Sequence, residues 1–233
     1  MTMKTNVIKT VIINRAVPGT GKTTISRCIT QALENAGLIV RNHSTDDFFM
    51  QNGRYCFDIE KLHTYHELNL AYFHQDLESG ADVVICDNTN IKPWHSEPYT
   101  DLARQYGYQV VFLNMTPREL SKHVQSQIIT AEKPDAHGVP EETLKRLIRE
   151  FNDYNSLLDQ TTAINADKHY HYYWDDAKCM AIASGAARHF DYDTVVTIRP
   201  EEYHQAKLDI GKKFLTILHQ NEDCRRKKSE SAA

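Results

Sequence analysis

The stretch Ala16-Val-Pro-Gly-Thr-Gly-Lys-Thr23 constrains this chain more than any other, because it sits between the apolar run Val11-Ile12-Ile13 and a stretch, Thr24 to Ala36, that reads as helix. A strand, a Gly-rich turn and a helix opening on Lys-Thr make a phosphate-binding loop: the unpaired N–H groups and dipole of a helix start favour an anion. Gly19 and Gly21 let the backbone curl around a triphosphate, and Lys22 reaches its terminal phosphates. Thr23 offers its hydroxyl to Mg²⁺, and Pro18, Thr20 and Thr24 complete the expected nucleotide-contacting run. The full pattern opens on Gly where this chain has Ala16. That position often needs a conformation a Cβ disfavours, so a cost is expected there that does not forbid the turn.

Such a loop belongs to a parallel sheet with helices on both faces, and the rest of the chain supplies the parts. Leu38 to Ser44, Ala81 to Cys86, Gln109 to Asn114 and Tyr192 to Ile198 read as further strands. Helices are expected over Ile59–Ser79 with Asp58 as N-cap, Trp94–Tyr106, Glu141–Leu158 and Glu201–His219, and one more after Thr116-Pro-Arg-Glu119, which has the form of a capping box. The expected architecture is α/β, a three-layer fold with a five-stranded parallel sheet and a helical lid. The 233 residues, 41% of them hydrophobic, suffice for one such domain over residues 1–220.

Two strand ends carry acidic groups. Thr45-Asp-Asp-Phe-Phe49 follows the second strand and Asp87-Asn-Thr-Asn90 the third, and the C-terminal ends of parallel strands face the ligand crevice. Asp87 is the expected partner of the phosphate loop at Mg²⁺, with Asn88, Thr89 and Asn90 on the same rim. Asp46 or Asp47 is placed to act on an acceptor, or simply caps a turn. The aperiodic run from about 128 to 138 reads as a mobile lid whose one cation is Lys133, flanked by Arg118, Lys122, Lys145, Arg146 and Arg149.

Lys168-His-Tyr-His-Tyr-Tyr-Trp-Asp-Asp176, inside an insertion of about 165–190, reads as an aromatic strand, packed on the core or offering a stacking surface. Residues 221–233 read as a polar, disordered tail. The net charge of −4 argues against coating long nucleic acid but permits gripping one strand end. Cys28, Cys56, Cys86, Cys179 and Cys224 are odd in number and scattered, as expected of reduced thiols. With no cleavable signal and no run long enough to span a bilayer, the expected location is cytoplasmic. The oligomeric state stays open.

Arg15-Ala-Val-Pro-Gly-Thr-Gly-Lys-Thr23, Thr45-Asp-Asp-Phe-Phe49, Tyr55-Cys-Phe-Asp58, Asp87-Asn-Thr-Asn-Ile91 with Trp94, and His137-Gly-Val-Pro140 together resemble P-loop kinases of the polynucleotide 5′-hydroxyl kinase type. These AAA-type ATP-binding domains include those of animal ubiquitin-ligase-binding proteins. Zeta-toxin-like kinases share the architecture with a sugar-nucleotide substrate. The resemblance covers residues 8 to 152. It implies ATP and Mg²⁺ as ligands, Asp46 as general base on the attacking hydroxyl, Lys22 and Thr23 on the nucleotide, and Asp47, Asp87 and the following Asn88-Thr-Asn90 at the acceptor.

The chain departs from that family at two arginines. An acceptor-site arginine falls on Phe49, which could stack on a base but not grip a phosphate, and the lid arginine falls on Pro134, so its catalytic role is left to Lys133, to a flanking arginine, to a partner, or to nothing. The implied reaction is phosphorylation of a hydroxyl, foremost the 5′-OH of RNA or DNA. A nucleoside or sugar-nucleotide acceptor, and a nucleotide-dependent switch without transfer, are the alternatives.

Overall fold

The computed structural model describes residues 7–134, 136, 138–163 and 190–230. Its centre is strand β1, Thr10–Arg15, buried along its whole length. Around it run β2 (Val40–His43), β5 (Val83–Cys86), β6 (Gln109–Met115) and β7 (Thr194–Ile198), all parallel, in the order β2-β5-β1-β6-β7. Parallel neighbours need crossovers, and helices supply them on both faces. The period of two along β1 sorts its side chains into two cores. Ile12 joins Ile25, Ile29, Leu33 and Phe214, from α1 (Lys22–Asn35) and α6 (Tyr203–Glu230). Val11 and Ile13 join Phe73, Leu77 and Tyr99, from α2 (Leu62–Glu78) and α3 (Pro93–Gln105). The expected three layers and five parallel strands are therefore present, and no helix among the described residues is long and apolar enough to cross a membrane.

Several local expectations change. The capping box at Thr116–Glu119 does not form, and α4 starts only at Leu120 and runs to Thr130. Thr116 still belongs to the sheet edge: its N–H and hydroxyl both point to the Ile198 carbonyl, at 3.0 and 3.3 Å, so tertiary pairing has captured the capping group. A two-stranded antiparallel hairpin, β3 (Met50–Gln51) and β4 (Arg54–Tyr55), follows the 3-10 helix Thr45–Phe49. It turns on Asn52 and Gly53, both at positive φ, as a two-residue hairpin requires.

Of the segment 128–138 expected as a lid, the first residues extend α4, and the Pro134 carbonyl accepts the Tyr55 N–H at 2.8 Å. The following helix, α5, spans Glu141–Ala163. The closing helix runs past His219 to Glu230, where no Gly or Pro stands to stop it, so residues 221–230, expected as a disordered tail, are helical. The aromatic strand expected at 168–176 lies outside the described residues.

Candidate active site

The phosphate-binding loop joins β1 to α1 through two left-handed glycines, Gly19 at φ 76° and Gly21 at φ 98°. Gly21 is the N-cap of α1 and no side chain caps that end, which leaves first-turn N–H groups for an anion. Ala16 is fully buried, donates its N–H to the Thr89 carbonyl at 2.9 Å and is not at positive φ, so the expected cost of its Cβ does not arise. Surrounding side chains brace the loop carbonyls. Thr20 Oγ1 donates to Val17 O at 2.7 Å, Arg118 Nη2 to Gly19 O at 2.6 Å, and the Tyr203 hydroxyl sits 3.4 Å from Gly21 O. Thr20, expected to contact nucleotide, thus spends its hydroxyl on the loop itself. Thr23 is half-buried and Thr24 exposed.

Behind Gly19 lies His123, fully buried, whose Nε2 accepts the Arg118 backbone N–H at 3.1 Å. Burial pushes this imidazole down to about 4, and the Arg118 guanidinium adds to the effect. His123 is therefore neutral at ordinary pH. Arg118 also lines a cleft of about 60 Å³ with Thr20, Ile198, Arg199 and Tyr203.

Lys22, only 9% exposed, stands with Nζ 3.8 Å from Asp46 Oδ2 and 3.8 Å from Asp87 Oδ1. Asp87 is completely buried at the end of β5, and its Oδ1 also accepts Asn14 Nδ2 at 2.6 Å. Its Oδ2, like Asn14 Oδ1, has no hydrogen-bond partner. A buried carboxylate oxygen without a donor costs a few kcal/mol unless something else occupies it. Beside a helix N-terminus and a threonine hydroxyl, the group that fits is a hard cation held mainly by substrate phosphates, as Mg²⁺ is. Among the described residues no group of three His, Cys, Asp or Glu could cage an ion by itself.

Asp46 sits on the 3-10 helix after β2, and that helix is wired to its neighbours. Thr45 N–H donates to Asn88 Oδ1 at 2.9 Å, Asn88 Nδ2 donates to the Tyr99 hydroxyl at 3.2 Å, and Thr45 Oγ1 meets His66 Nδ1 at 3.1 Å. The Tyr55 hydroxyl donates to Asp46 Oδ1 at 3.0 Å. Asn88 thus supports the acidic helix. Asn90, buried at φ 44°, donates Nδ2 to Asn14 O at 2.8 Å, and Thr89 gives its carbonyl to Ala16, so both serve the loop's framework.

Asp47 diverges from Asp46: it lines a separate cavity of about 190 Å³ with His43, Phe48, Asn69, Tyr72 and Asp76. Loss of solvent raises its carboxyl, and the negative Asp87 and Asp46 add to that. Phe49, expected to offer a face to a base, is 1% exposed and packs against Tyr55, Phe57 and Tyr65. Its neighbour Phe48, half-buried, stacks at 14° on the exposed Tyr72. Lys133 is exposed and among the described residues pairs with neither Asp46 nor Asp87, so the cation at these carboxylates is Lys22.

Reading the sequence missed Asn14, Tyr55, His66 and His123 as members of this site. Only Tyr55 had a local signal, the Asn52-Gly53 dipeptide that folds it back toward Asp46. Arg15, within the motif, is buried under the loop and donates to Ile91 O, Asn114 Oδ1, Asn155 Oδ1 and Phe151 O at 2.9–3.1 Å, with its guanidinium 4.0 Å over the Phe151 ring. It ties the sheet to α5 rather than reaching a substrate.

The chain resembles known proteins in sequence and in fold. Residues 11–153 match the family model described as AAA domain. The chain is 30% identical over 152 residues to human NEDD4-binding protein 2, an alignment covering 63% of this chain and 8% of that far longer protein. In fold it is similar to a putative kinase from Chloroflexus aurantiacus J-10-fl, at 14% identity and TM-score 0.55, covering 91% of this chain and 100% of the other. It is also similar to a chain of the Pnkp1/Rnl/Hen1 RNA repair complex, at 14% identity and TM-score 0.52, covering 94% and 88%.

Proposed function

The chain belongs to the AAA domain family AAA_33, a P-loop kinase domain, and from that premise we propose that it transfers phosphate from ATP to a hydroxyl, foremost the 5′-hydroxyl of an RNA or DNA end. The observation that carries this reading is Lys22 Nζ at 3.8 Å from both Asp46 Oδ2 and Asp87 Oδ1, at the mouth of a loop built for phosphate. In the proposed reaction Asp46 Oδ2 takes the acceptor's proton while the acceptor oxygen bonds to the γ-phosphorus. The bond from that phosphorus to its bridging oxygen breaks, and ADP leaves with the electron pair. Lys22 and the N–H groups at the start of α1 offset negative charge on the transferring group. Asp87 Oδ2 and the Thr23 hydroxyl would hold Mg²⁺, which when bound neutralises phosphate charge.

A second acceptor class has its own support. The carboxylates of Asp46 and Asp87 flank Lys22, with the negative Asp47 nearby, and the buried Phe49 stands where the family resemblance places an arginine that grips an acceptor phosphate. That favours an acceptor with little charge beside the attacked hydroxyl, such as a nucleoside.

Labelled ATP offered with 5′-hydroxyl oligonucleotides, and separately with nucleosides and sugar nucleotides, distinguishes these readings. Asp46→Asn is expected to lower transfer by about 10²–10⁴-fold while ATP affinity stays within roughly twofold. Equal loss of both overturns the base assignment. No labelled oligonucleotide removes the nucleic-acid acceptor, and ATP binding without any phosphorylated product makes the chain a nucleotide-dependent switch.

A further inference from the structure

Asp46 lies on a short, five-residue 3-10 helix and its side chain is 36% exposed. A general base must present one oxygen to the incoming hydroxyl, and an exposed aspartate loses that alignment by rotation about its side-chain bonds. One restraint comes from outside the 3-10 helix, from the hairpin that follows it. Resting on the assignment of Asp46 as base, we propose that Tyr55 is a positioning residue: its hydroxyl, donated to Asp46 Oδ1 at 3.0 Å, turns Oδ2 toward Lys22 and makes Oδ2 the oxygen that takes the proton.

The hairpin exists in a form suited to this task. Met50 pairs with Tyr55 and Gln51 with Arg54, so the turn at Asn52-Gly53 brings the phenol back over the residues just left. Cys56 N–H donates to Phe49 O at 2.9 Å, which ties the returning strand to the end of the acidic helix. On the other side Tyr55 N–H donates to Pro134 O at 2.8 Å. The Tyr55 ring packs on buried Phe49 with centroids 5.8 Å apart. Backbone on two sides and a core aromatic thus fix the ring, and the one polar atom it carries is aimed at Asp46.

Among the described residues, the charged and titratable groups near Asp46 include Lys22 from α1, His66 from α2, Asp47 beside it and Asp87 after β5. Of these and Tyr55, the phenol is the donor whose hydrogen bond to the Asp46 carboxylate is within 3.0 Å. Burial, and after it the Asp46 charge, keeps the phenol protonated far above the ordinary tyrosine range, so it remains a donor at every pH at which the enzyme would work. It gives up no proton in the reaction; it orients the group that accepts one.

Tyr55→Phe removes the donor and keeps the ring. The expected result is a fall in kcat of roughly ten- to a hundredfold, the loss of a hydrogen bond to a charged group, with ATP affinity unchanged. Since a donated hydrogen bond favours the charged carboxylate, its loss moves the acid limb of the rate–pH profile upward. A carboxyl ¹³C titration, with the Asp46 signal identified by its absence from Asp46→Asn, reads the same shift without turnover. Incorporation of 3-fluorotyrosine at position 55, a stronger donor of nearly the same shape, moves the midpoint the opposite way and guards against a Tyr55→Phe protein that folds poorly. Unmoved carbon midpoints in both proteins overturn the role of Tyr55. A shifted midpoint in a protein that phosphorylates no acceptor leaves the hydrogen bond standing and overturns the kinase reading instead.

Discussion

The two halves of the candidate site, proposed to take the phosphate donor and its acceptor, are built differently. On the donor side, the loop from Ala16 to Thr23 grows out of the fully buried central strand, and Arg118, Thr20 and Tyr203 brace it from behind. On the acceptor side, Asp46 rides a five-residue 3-10 helix at the end of the edge strand β2. That helix is tied by hydrogen bonds of Thr45 with Asn88 and His66 and of Asp46 with Tyr55, residues that lie far apart in the chain. In the proposed reaction the triphosphate is the same in every turnover, so its half can be rigid. An acceptor must enter and leave past a rim, and a short helix on polar tethers suits that task.

The contrast breaks first at Gly21. A Cβ there would overlap the Tyr203 hydroxyl and ring, and the residue holds φ 98°. Gly21→Ala is therefore expected to cost about 2–4 kcal/mol from the left-handed backbone and the forced contact, read as ATP affinity lowered by more than tenfold in calorimetry. Adding Tyr203→Ala should return only the steric share. A Gly21→Ala protein that binds ATP like its parent would refute the rigidity of the donor half.

His123 sharpens the comparison through pH. Its imidazole, ordinarily near 6.5, is pushed down to about 4 in the folded chain by burial and by Arg118. Between those values the unfolded chain takes up a proton that the folded chain refuses, so stability is complete above pH 6.5 and falls as pH drops toward 4. The loss from this one group is about 3 kcal/mol. Denaturant melts of the parent and His123→Gln at pH 7.5 and pH 4.5 should differ in pH dependence by that amount, other histidines cancelling between the two. Identical pH dependence would mean that His123 is not packed behind the loop.

The smallest effect belongs to the acceptor side. Gly53 is also at positive φ, 77°, but a Cβ there meets nothing within 4 Å. Gly53→Ala should cost about 1 kcal/mol, seen as a melting temperature lower by about 2–4 °C, with ATP binding untouched. A loss as large as that of Gly21→Ala would show that the hairpin belongs to the rigid half after all.

How much of this could be read without coordinates follows from the range of the forces involved. The phosphate loop, the five strands and most helices were legible because a glycine's φ, a helix start and an apolar run are local properties of a few adjacent residues. Lys22, Asp46 and Asp87 were legible as candidates because parallel strands deliver their ends to one crevice. The Thr116 capping box failed for the opposite reason: its hydroxyl found the Ile198 carbonyl, 82 residues away, before it could serve its own helix. Phe49 and Phe48 could not be told apart from composition, since which of two adjacent aromatics turns inward depends on where Tyr55, Phe57 and Tyr65 are packed.

Chain chemistry alone therefore settled that a phosphate-gripping loop sits on a parallel α/β sheet with acidic groups near its mouth, because backbone freedom and hydrophobic periodicity act over a few residues. Folding in three dimensions decided which carboxylate faces Lys22, left Asp87 Oδ2 and Asn14 Oδ1 without hydrogen-bond partners, and brought the Tyr55 hydroxyl to Asp46. Those outcomes depend on hydrogen bonds and packing between segments distant in sequence, and such contacts acquire partners only once the whole sheet has closed.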